Sequence, residues 1–421
     1  MEHDLNKNAP LVMHIDLNSC FATVTQQAFP HLRGKPLVMA AYDTPNGCVL
    51  SPSMEAKKYG IKTGSTVREA KVLCKDVIVR MTDTVMVRDV HVKMKKIFND
   101  YSPDIAPKSI DEVVLDFSSM ERLVKTRGLQ EIAKEIKARL RAEVGEWISC
   151  SIGIAPNRFL AKLAAGLIKP DGLVTITHEN LRSVYSKLSL TDLPGINVRY
   201  EARLNMHNIF TPIDFLNAPL LLLKKQVFQS INGYYWYLRL RGYEQDGVDF
   251  KRKSFGQDYA LKQHTSNPAD IASILMKLCE KMGRRLRRHT MAASGIHIAI
   301  VNSDGTYWHK GRMTQRDMYT TQELFREALF TFNKRPEKKR IGKLCVSCYG
   351  LHACDDSQQT LFDDGPEKSR KLSDAVDKIN DKYGEYVITP LIMMGMGEKV
   401  LDRIAFGAVK ELEDLYAVEI P

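Results

Sequence analysis

No run of about eighteen apolar residues occurs in the 421-residue chain, which excludes an ordinary membrane-spanning helix. The N-terminus shows no basic stretch followed by an apolar one. The expectation is therefore a cytoplasmic protein without a membrane partner. Cysteine is sparse: eight are scattered along the chain in no paired array, which excludes a disulfide-framed secreted domain and fits a reducing compartment. Cys345-Val346-Ser347-Cys348 is a lone CxxC in a strand-like stretch, and it lacks the second pair or the spaced histidines that a zinc site needs. No internal repeat or low-complexity segment is present, so the length must be spent on several ordinary domains rather than on a solenoid.

Negative charge is scarce in one region only. Residues 251–354 hold 20 Lys plus Arg against 8 Asp plus Glu, more than the whole chain's net +11. A module with that excess is suited to hold a polyanion, because each phosphate neutralised releases condensed counterions. Arg284, Arg285, Arg287 and Arg288 close a helical pattern (Ile274, Leu275, Leu278, Met282), where they would also complement a helix C-terminus. A later cluster, Lys334, Arg335, Lys338, Lys339 and Arg340, lies in the same region, and phosphate contact is the reading both support.

Two carboxylates stand where apolar residues are the rule. Ser109-Ile110-Asp111-Glu112 runs into Val113-Val114-Leu115, and Leu11-Val12-Met13-His14-Ile15 ends in Asp16. Two strands of one sheet would bring Asp16, Asp111 and Glu112 together, and such a cluster needs positive charge beside it. A pair of Mg²⁺ ions fits, since Mg²⁺ favours a few carboxylates plus substrate phosphate oxygens. Capping or edging a strand would use the same residues.

The segments His14-Ile15-Asp16-Leu17-Asn18-Ser19-Cys20-Phe21-Ala22, Ser109-Ile110-Asp111-Glu112, Ala155-Pro156-Asn157-Arg158-Phe159-Leu160-Ala161-Lys162-Leu163-Ala164 and Lys169-Pro170-Asp171-Gly172 resemble, in order and spacing, the signature blocks of the Y-family translesion DNA polymerases. The resemblance covers about residues 10 to 354. It implies an α/β and α+β multidomain protein, a right-hand polymerase with palm, fingers, helical thumb and little finger. The expected divisions are palm at 10–19 and 86–173, fingers at 20–85, thumb at 174–245, a linker at 246–253, little finger at 254–353 and a tail at 354–421. Within the tail, Leu372, Val376 and Ile379 outline an amphipathic helix of unassigned role.

Roles follow from the resemblance residue by residue. Asp16, Asp111 and Glu112, with the backbone carbonyl of Leu17, would hold two Mg²⁺ ions, Mn²⁺ being a possible substitute. Glu112 would lie nearest the attacking hydroxyl, and Phe21 would be the steric gate against ribose. Asn18, Cys20, Ser51, Lys57 and Lys169 would line the nucleotide site. Met54-Glu55-Ala56-Lys57 departs from the common Tyr-Glu-Ala-Arg, trading a bidentate guanidinium for a point charge. Leu193-Pro194-Gly195-Ile196-Asn197 resembles the turn of a helix-hairpin-helix, whose Gly195, Ile196 and Asn197 amides would face a DNA phosphate. Asn197 stands where a second glycine is usual and would tolerate a left-handed backbone. Gln358-Gln359-Thr360-Leu361-Phe362 resembles the peptide with which bacterial polymerases dock on the sliding clamp, through Gln358, Leu361 and Phe362. The implied partners are primer-template DNA, dNTP and that clamp. Neither an extra acidic block nor a spare domain suggests a proofreading exonuclease. Two alternatives stay open: a catalytically weak DNA-binding accessory protein of the same fold, and a palm-type nucleotidyl transferase or cyclase.

Overall fold

The structure is a computed structural model that describes residues 4–247, 252–354, 365–384 and 386–396. Gln358, Leu361 and Phe362 lie outside the described residues. The chain divides into two compact units at about residue 248.

The first unit is built on β1 (Val12–Leu17), whose strict alternation sends its side chains to two different cores. Met13, Ile15 and Leu17 join one apolar cluster, while Val12 joins another. His14 and Asp16 share the face of Val12. After β1 the chain runs through α1 (Cys20–Ala28), β2 (Leu37–Ala40), β3 (Val49–Pro52), α2 (Met54–Lys57), α3 (Val67–Leu73) and β4 (Ile78–Met81). Strands β3-β2-β4 make a small separate sheet with its own core of Val38, Val49, Ala56, Ile61 and Ala70. The Ser53–Gly60 segment forms only one helical turn, capped by the Ser53 hydroxyl accepting from Ala56 N–H.

The chain then returns through α4 (Thr84–Asn99), β5 (Asp104–Pro107), β6 (Glu112–Asp116), α5 (Glu121–Arg127), α6 (Leu129–Arg139), β7 (Cys150–Ala155), α7 (Arg158–Leu167) and β8 (Leu173–Thr175). The resulting five-stranded sheet has the order β5-β6-β1-β7-β8, with β1 central and antiparallel to both neighbours. Helices α4 and α6 cover the Met13 face, and α7 covers the His14 face. Gly153 makes the second contact possible: a Cβ there would stand 2.1 Å from the Ala161 carbonyl of α7.

Short helices α8 (Leu181–Tyr185), α9 (Val198–Asn205), α10 (Pro212–Asn217), α11 (Leu220–Leu222) and α12 (Asn232–Leu240) complete this unit. Phe159 of α7 meets Trp236 of α12 edge to face at 5.5 Å, and Phe215 and Phe228 pack in the same cluster. Buried Asn157 caps α7 with its side-chain carbonyl oxygen and donates its amide to the Arg239 and Tyr243 carbonyls, tying α7 to the end of α12.

The second unit comprises β9 (Ser254–Thr265), α13 (Pro268–Arg288), β10 (Met291–Asn302), β11 (Tyr307–Met318), α14 (Thr321–Phe332), β12 (Ile341–Ala353) and α15 (Gly365–Tyr383). Its sheet has the order β11-β10-β12-β9, and Ile296, Ile298, Ile300, Leu344 and Val346 face α13 and α14.

Helix α15 corrects the expectation of a tail that begins at 354: it is part of the second unit. The apolar positions Leu372, Val376 and Ile379 do not make its docking face, and Leu372 stays 66% exposed. Docking is polar instead, through Asp374, Asp377 and Asp381. Beyond it, Met393 and Met396 enter the core, and Lys277 donates to the Met396 carbonyl at 2.9 Å. Among the described residues no helix is long and apolar enough to cross a membrane.

Candidate active site

Register brings the carboxylates together. Asp16 pairs directly with Glu112 across β1 and β6, and Leu17 N–H donates to the Asp111 carbonyl at 2.9 Å. Glu112, Val114 and Asp116 alternate onto the face that carries Asp16 and His14. Ser109 shapes the entry to β6: its hydroxyl accepts from Glu112 N–H at 2.9 Å and donates to the Asp111 carboxylate. The Ser-Ile-Asp-Glu sequence is thus a side-chain-closed turn, which fixes Asp111 while leaving Glu112 in the strand.

Burial makes this an expensive place for charge. Asp111 is pushed up to about 6 by desolvation, with Asp16 and Glu112 adding repulsion. Desolvation also raises Asp16, against the pull of Lys169. Positive charge is supplied from two sides: the Lys169 ammonium bonds the Asp16 carboxylate, and Lys162 of α7 bonds Glu112 at 2.7 Å. His14 is buried with Nε2 3.7 Å from the Glu112 carboxylate, yet burial lowers it to about 4, so at neutral pH it is an uncharged neighbour and not half of an ion pair.

Two lysines complete the floor of the site. Lys57, at the end of α2, is lowered first by desolvation and then by Lys169, which brings the two ammoniums into one field. The turn that carries Lys169 is braced from outside by Lys137, which donates to the Asp171 carbonyl at 2.6 Å, and by Arg141 on the Asp171 carboxylate. Two mutually repelling ammoniums beside a carboxylate cluster suit a polyphosphate bound with divalent cations.

The donor set has metal chemistry, all oxygen and anionic. Among the described residues, however, no three such side chains converge as a ready cage. Asp16 and Glu112 are turned onto their lysines, so cation entry requires an exchange of ammonium for metal on those two carboxylates.

Other expected nucleotide residues serve the frame. Asn18 is 2% exposed, accepts the Ser151 hydroxyl at 3.1 Å and lies 3.4 Å from Asp171 N–H, so it supports the Lys169 turn from beneath. Cys20 has its thiol fully buried in the core and raised by desolvation. Ser51 is buried on β3 opposite Met39. Phe21 is 1% exposed at the junction of α1 and the sheet, so its ring has a packing role whatever else it does. The Met54 thioether accepts from the Ser19 hydroxyl at 3.4 Å, linking α2 to the loop that precedes Phe21. Ser109, Lys162 and His14 carry roles that sequence reasoning did not assign; for Lys162 the available signal was its position on the α7 face covering β1.

The residues expected at DNA are also engaged within the fold. Gly195 does adopt φ +94°, and Ile196 is buried. Asn197 is not left-handed: at φ −109° it is the N-cap of α9, and its side chain accepts from Arg199 and Tyr200 N–H. Of the three turn amides expected to face phosphate, that of Ile196 donates to the Leu193 carbonyl at 3.0 Å. The arginines of α13 are engaged within the fold to different degrees. Arg284 and Arg287, each 6% exposed, are paired with Asp381 and Asp377 of α15, and Arg288 also bonds Asp381. Arg285 donates to the Gly256 carbonyl and to Gln257. Arg340 is exposed and donates to the His264 carbonyl. Exposed cations on the strands include Lys262 of β9 and Lys310 and Arg316 of β11.

Comparison with known proteins gives one consistent result. The impB/mucB/samB family model matches residues 15–166, and that family's C-terminal domain matches 252–361. The chain is 32% identical over 383 residues to DNA polymerase IV of Pelotomaculum thermopropionicum, covering 90% of this chain and 94% of the relative. It is 30% identical to DNA polymerase IV of Moorella thermoacetica, with the same coverage of each chain. Among solved structures, a chimera of the Y-family DNA polymerases Dbh and Dpo4 aligns with TM-score 0.68 at 23% identity, over 81% of this chain and 99% of the other. An insertion ternary complex of Dbh DNA polymerase aligns with TM-score 0.55 at 22% identity, with the same coverage.

Proposed function

This chain belongs to the impB/mucB/samB family of Y-family DNA polymerases, and on that premise we propose how its site performs translesion synthesis. The reaction joins the primer 3′-oxygen to the α-phosphorus of a deoxynucleoside triphosphate. It breaks the bond to the β-phosphate, and the departing oxygen leaves as pyrophosphate. Asp16, Asp111 and Glu112, with the Leu17 carbonyl, would hold two Mg²⁺ ions. Bound there, the ions supply a lowered pKa at the primer hydroxyl and charge stabilisation at the leaving phosphate.

The chain's own residues do the rest. Glu112 lies nearest the primer hydroxyl and, with Asp16, gives up its lysine partner on loading. Lys57 and Lys169 orient the triphosphate, and the released Lys169 passes from Asp16 to phosphate oxygens. Lys162 stays within reach of Glu112 and of the primer end. The ring of Phe21 closes the sugar side against a ribose 2′-hydroxyl. Exposed cations of the second unit, Lys262, Lys310 and Arg316 among them, contact the duplex backbone. The Gln358–Phe362 peptide supports docking to a bacterial sliding clamp.

The observation that carries this reading is the direct pairing of Asp16 with Glu112 beside Asp111, faced by Lys57 and Lys169. Primer extension with Mg²⁺ on undamaged and abasic templates tests it. The wild-type chain extends both, and Phe21→Ala incorporates ribonucleotides. Salt-sensitive DNA binding with no extension, even with clamp added, would instead make the chain an accessory protein.

A further inference from the structure

Gln26 lies on α1, five residues after Phe21, and is 2% exposed. Its amide joins four segments of the chain. The carbonyl oxygen accepts from Trp147 Nε1–H at 3.2 Å, and the amide nitrogen is 3.2 Å from the Leu32 carbonyl, 3.4 Å from the Lys35 carbonyl and 3.2 Å from the Glu55 carboxylate. The palm loop that carries Trp147 is held at the same place twice more. Gln27 accepts from Trp147 N–H at 2.7 Å, and Arg33 bonds Glu146 at 2.6 Å while lying over the Trp147 ring.

Glu55 is the second residue of α2, and Lys57 is its last. A helix of four residues has almost no stability of its own, because nucleation costs more than one turn returns. Its place is set by what holds its start. Ser53 provides one anchor, accepting from Leu37 N–H at 3.2 Å. Gln26 provides another through Glu55, beside the Ser19–Met54 contact, and it is the one of these three that reaches the palm loop as well. By taking the Glu55 carboxylate, Gln26 also keeps an anion turned away from the phosphate-binding side of α2.

We propose that Gln26 is a positioning residue for the incoming nucleotide, locking α2 to the Trp147 loop of the palm so that Lys57 stands at a fixed distance from the carboxylates of β1 and β6. The inference rests on the reading of Lys57 as a triphosphate ligand. Preorganisation of that kind acts on nucleotide affinity, since a displacement of about 1 Å in a charged contact is enough to weaken it severalfold or more.

The test uses Gln26→Leu, Glu55→Ala, Glu55→Gln and Trp147→Phe in the full chain. Thermal protection by inorganic tripolyphosphate and the kcat and KM of single-nucleotide incorporation are measured on each, with primer-template affinity and Tm as controls. Gln26→Leu and Glu55→Ala raise the dNTP KM about tenfold and weaken tripolyphosphate protection, with kcat within about threefold and DNA affinity unchanged. Trp147→Phe moves in the same direction by less. Glu55→Gln stays near wild type, because its amide oxygen still accepts the Gln26 N–H. The proposal is overturned if Gln26→Leu and Glu55→Ala keep the wild-type KM and protection, or if Glu55→Gln is as impaired as Glu55→Ala. Should Gln26→Leu fail to fold, the Glu55 pair, on a partly exposed side chain, decides alone. Primer extension by the wild-type chain tests the polymerase reading separately, and tripolyphosphate protection reads Lys57 without any turnover.

Discussion

Asp16 and Glu112 face one another across β1 and β6, and each carboxylate is held by its own lysine, Lys169 on Asp16 and Lys162 on Glu112. Asp111, between them in charge, has no lysine and is the member pushed up to about 6. Burial therefore outweighs the lysine at Asp16 and acts most strongly on Asp111, which is the state a divalent cation would relieve.

Asp111→Asn should stabilise the metal-free protein while abolishing synthesis. The folded pKa lies above the unfolded value, so the favourable contribution of Asp111 is complete below about pH 4 and is lost as pH rises through about 6. His14, lowered to about 4, works in the opposite sense: its contribution is present above about 6.5 and lost as pH falls through about 4. The difference between wild type and Asp111→Asn cancels the histidine. At pH 7.5 without metal the variant gains about 1–3 kcal/mol, measured by denaturant unfolding, and Mg²⁺ raises the Tm of the wild type alone.

Lys57→Ala should raise the dNTP KM about tenfold, equivalent to about 1.4 kcal/mol, with little change in primer-template affinity. Lys57→Arg should preserve or improve nucleotide affinity, since a guanidinium offers the bidentate contact that lysine lacks. Steady-state kinetics at fixed DNA checks both.

Phe21→Ala should produce two separable effects. Loss of the ring admits ribonucleotides, seen in primer extension with NTPs. Because Phe21 is 1% exposed, the cavity also costs about 3–5 kcal/mol, seen as a lowered Tm. Ribonucleotide entry without loss of stability would mean that the ring is not packed as described.

Asp377→Ala removes the partner of a guanidinium that is almost fully enclosed, and it should destabilise the second unit by about 3–5 kcal/mol. Asp381→Ala, whose carboxylate is partly exposed, should cost less. Thermal unfolding monitored by limited proteolysis separates the two units.

The sequence disclosed most where one strand decided the outcome. Asp16 and Asp111-Glu112 were legible because an ionised group in an alternating apolar strand has few uses, and the register that joins them follows from burying one face. Lys162 was not legible as a site residue, because a lysine in a helix ordinarily reads as solvated; only the packing of α7 across β1 brings it to Glu112. The engagement of the α13 arginines within the fold is not legible for a related reason. Their partners Asp377 and Asp381 lie some ninety residues later, in a helix to which the sequence assigns no role. Asn197 suits a left-handed turn and a helix cap alike, and it serves as the cap because α9 begins directly after it.

The most direct measurement of the central claim is the single-turnover rate of Mg²⁺-dependent nucleotide incorporation by Asp111→Ala, taken together with its primer-template affinity. The account predicts a loss of at least about a thousandfold in rate with DNA affinity within about threefold of wild type. Incorporation at a rate near wild type would contradict it, because Asp16 and Glu112 would then suffice without the third carboxylate.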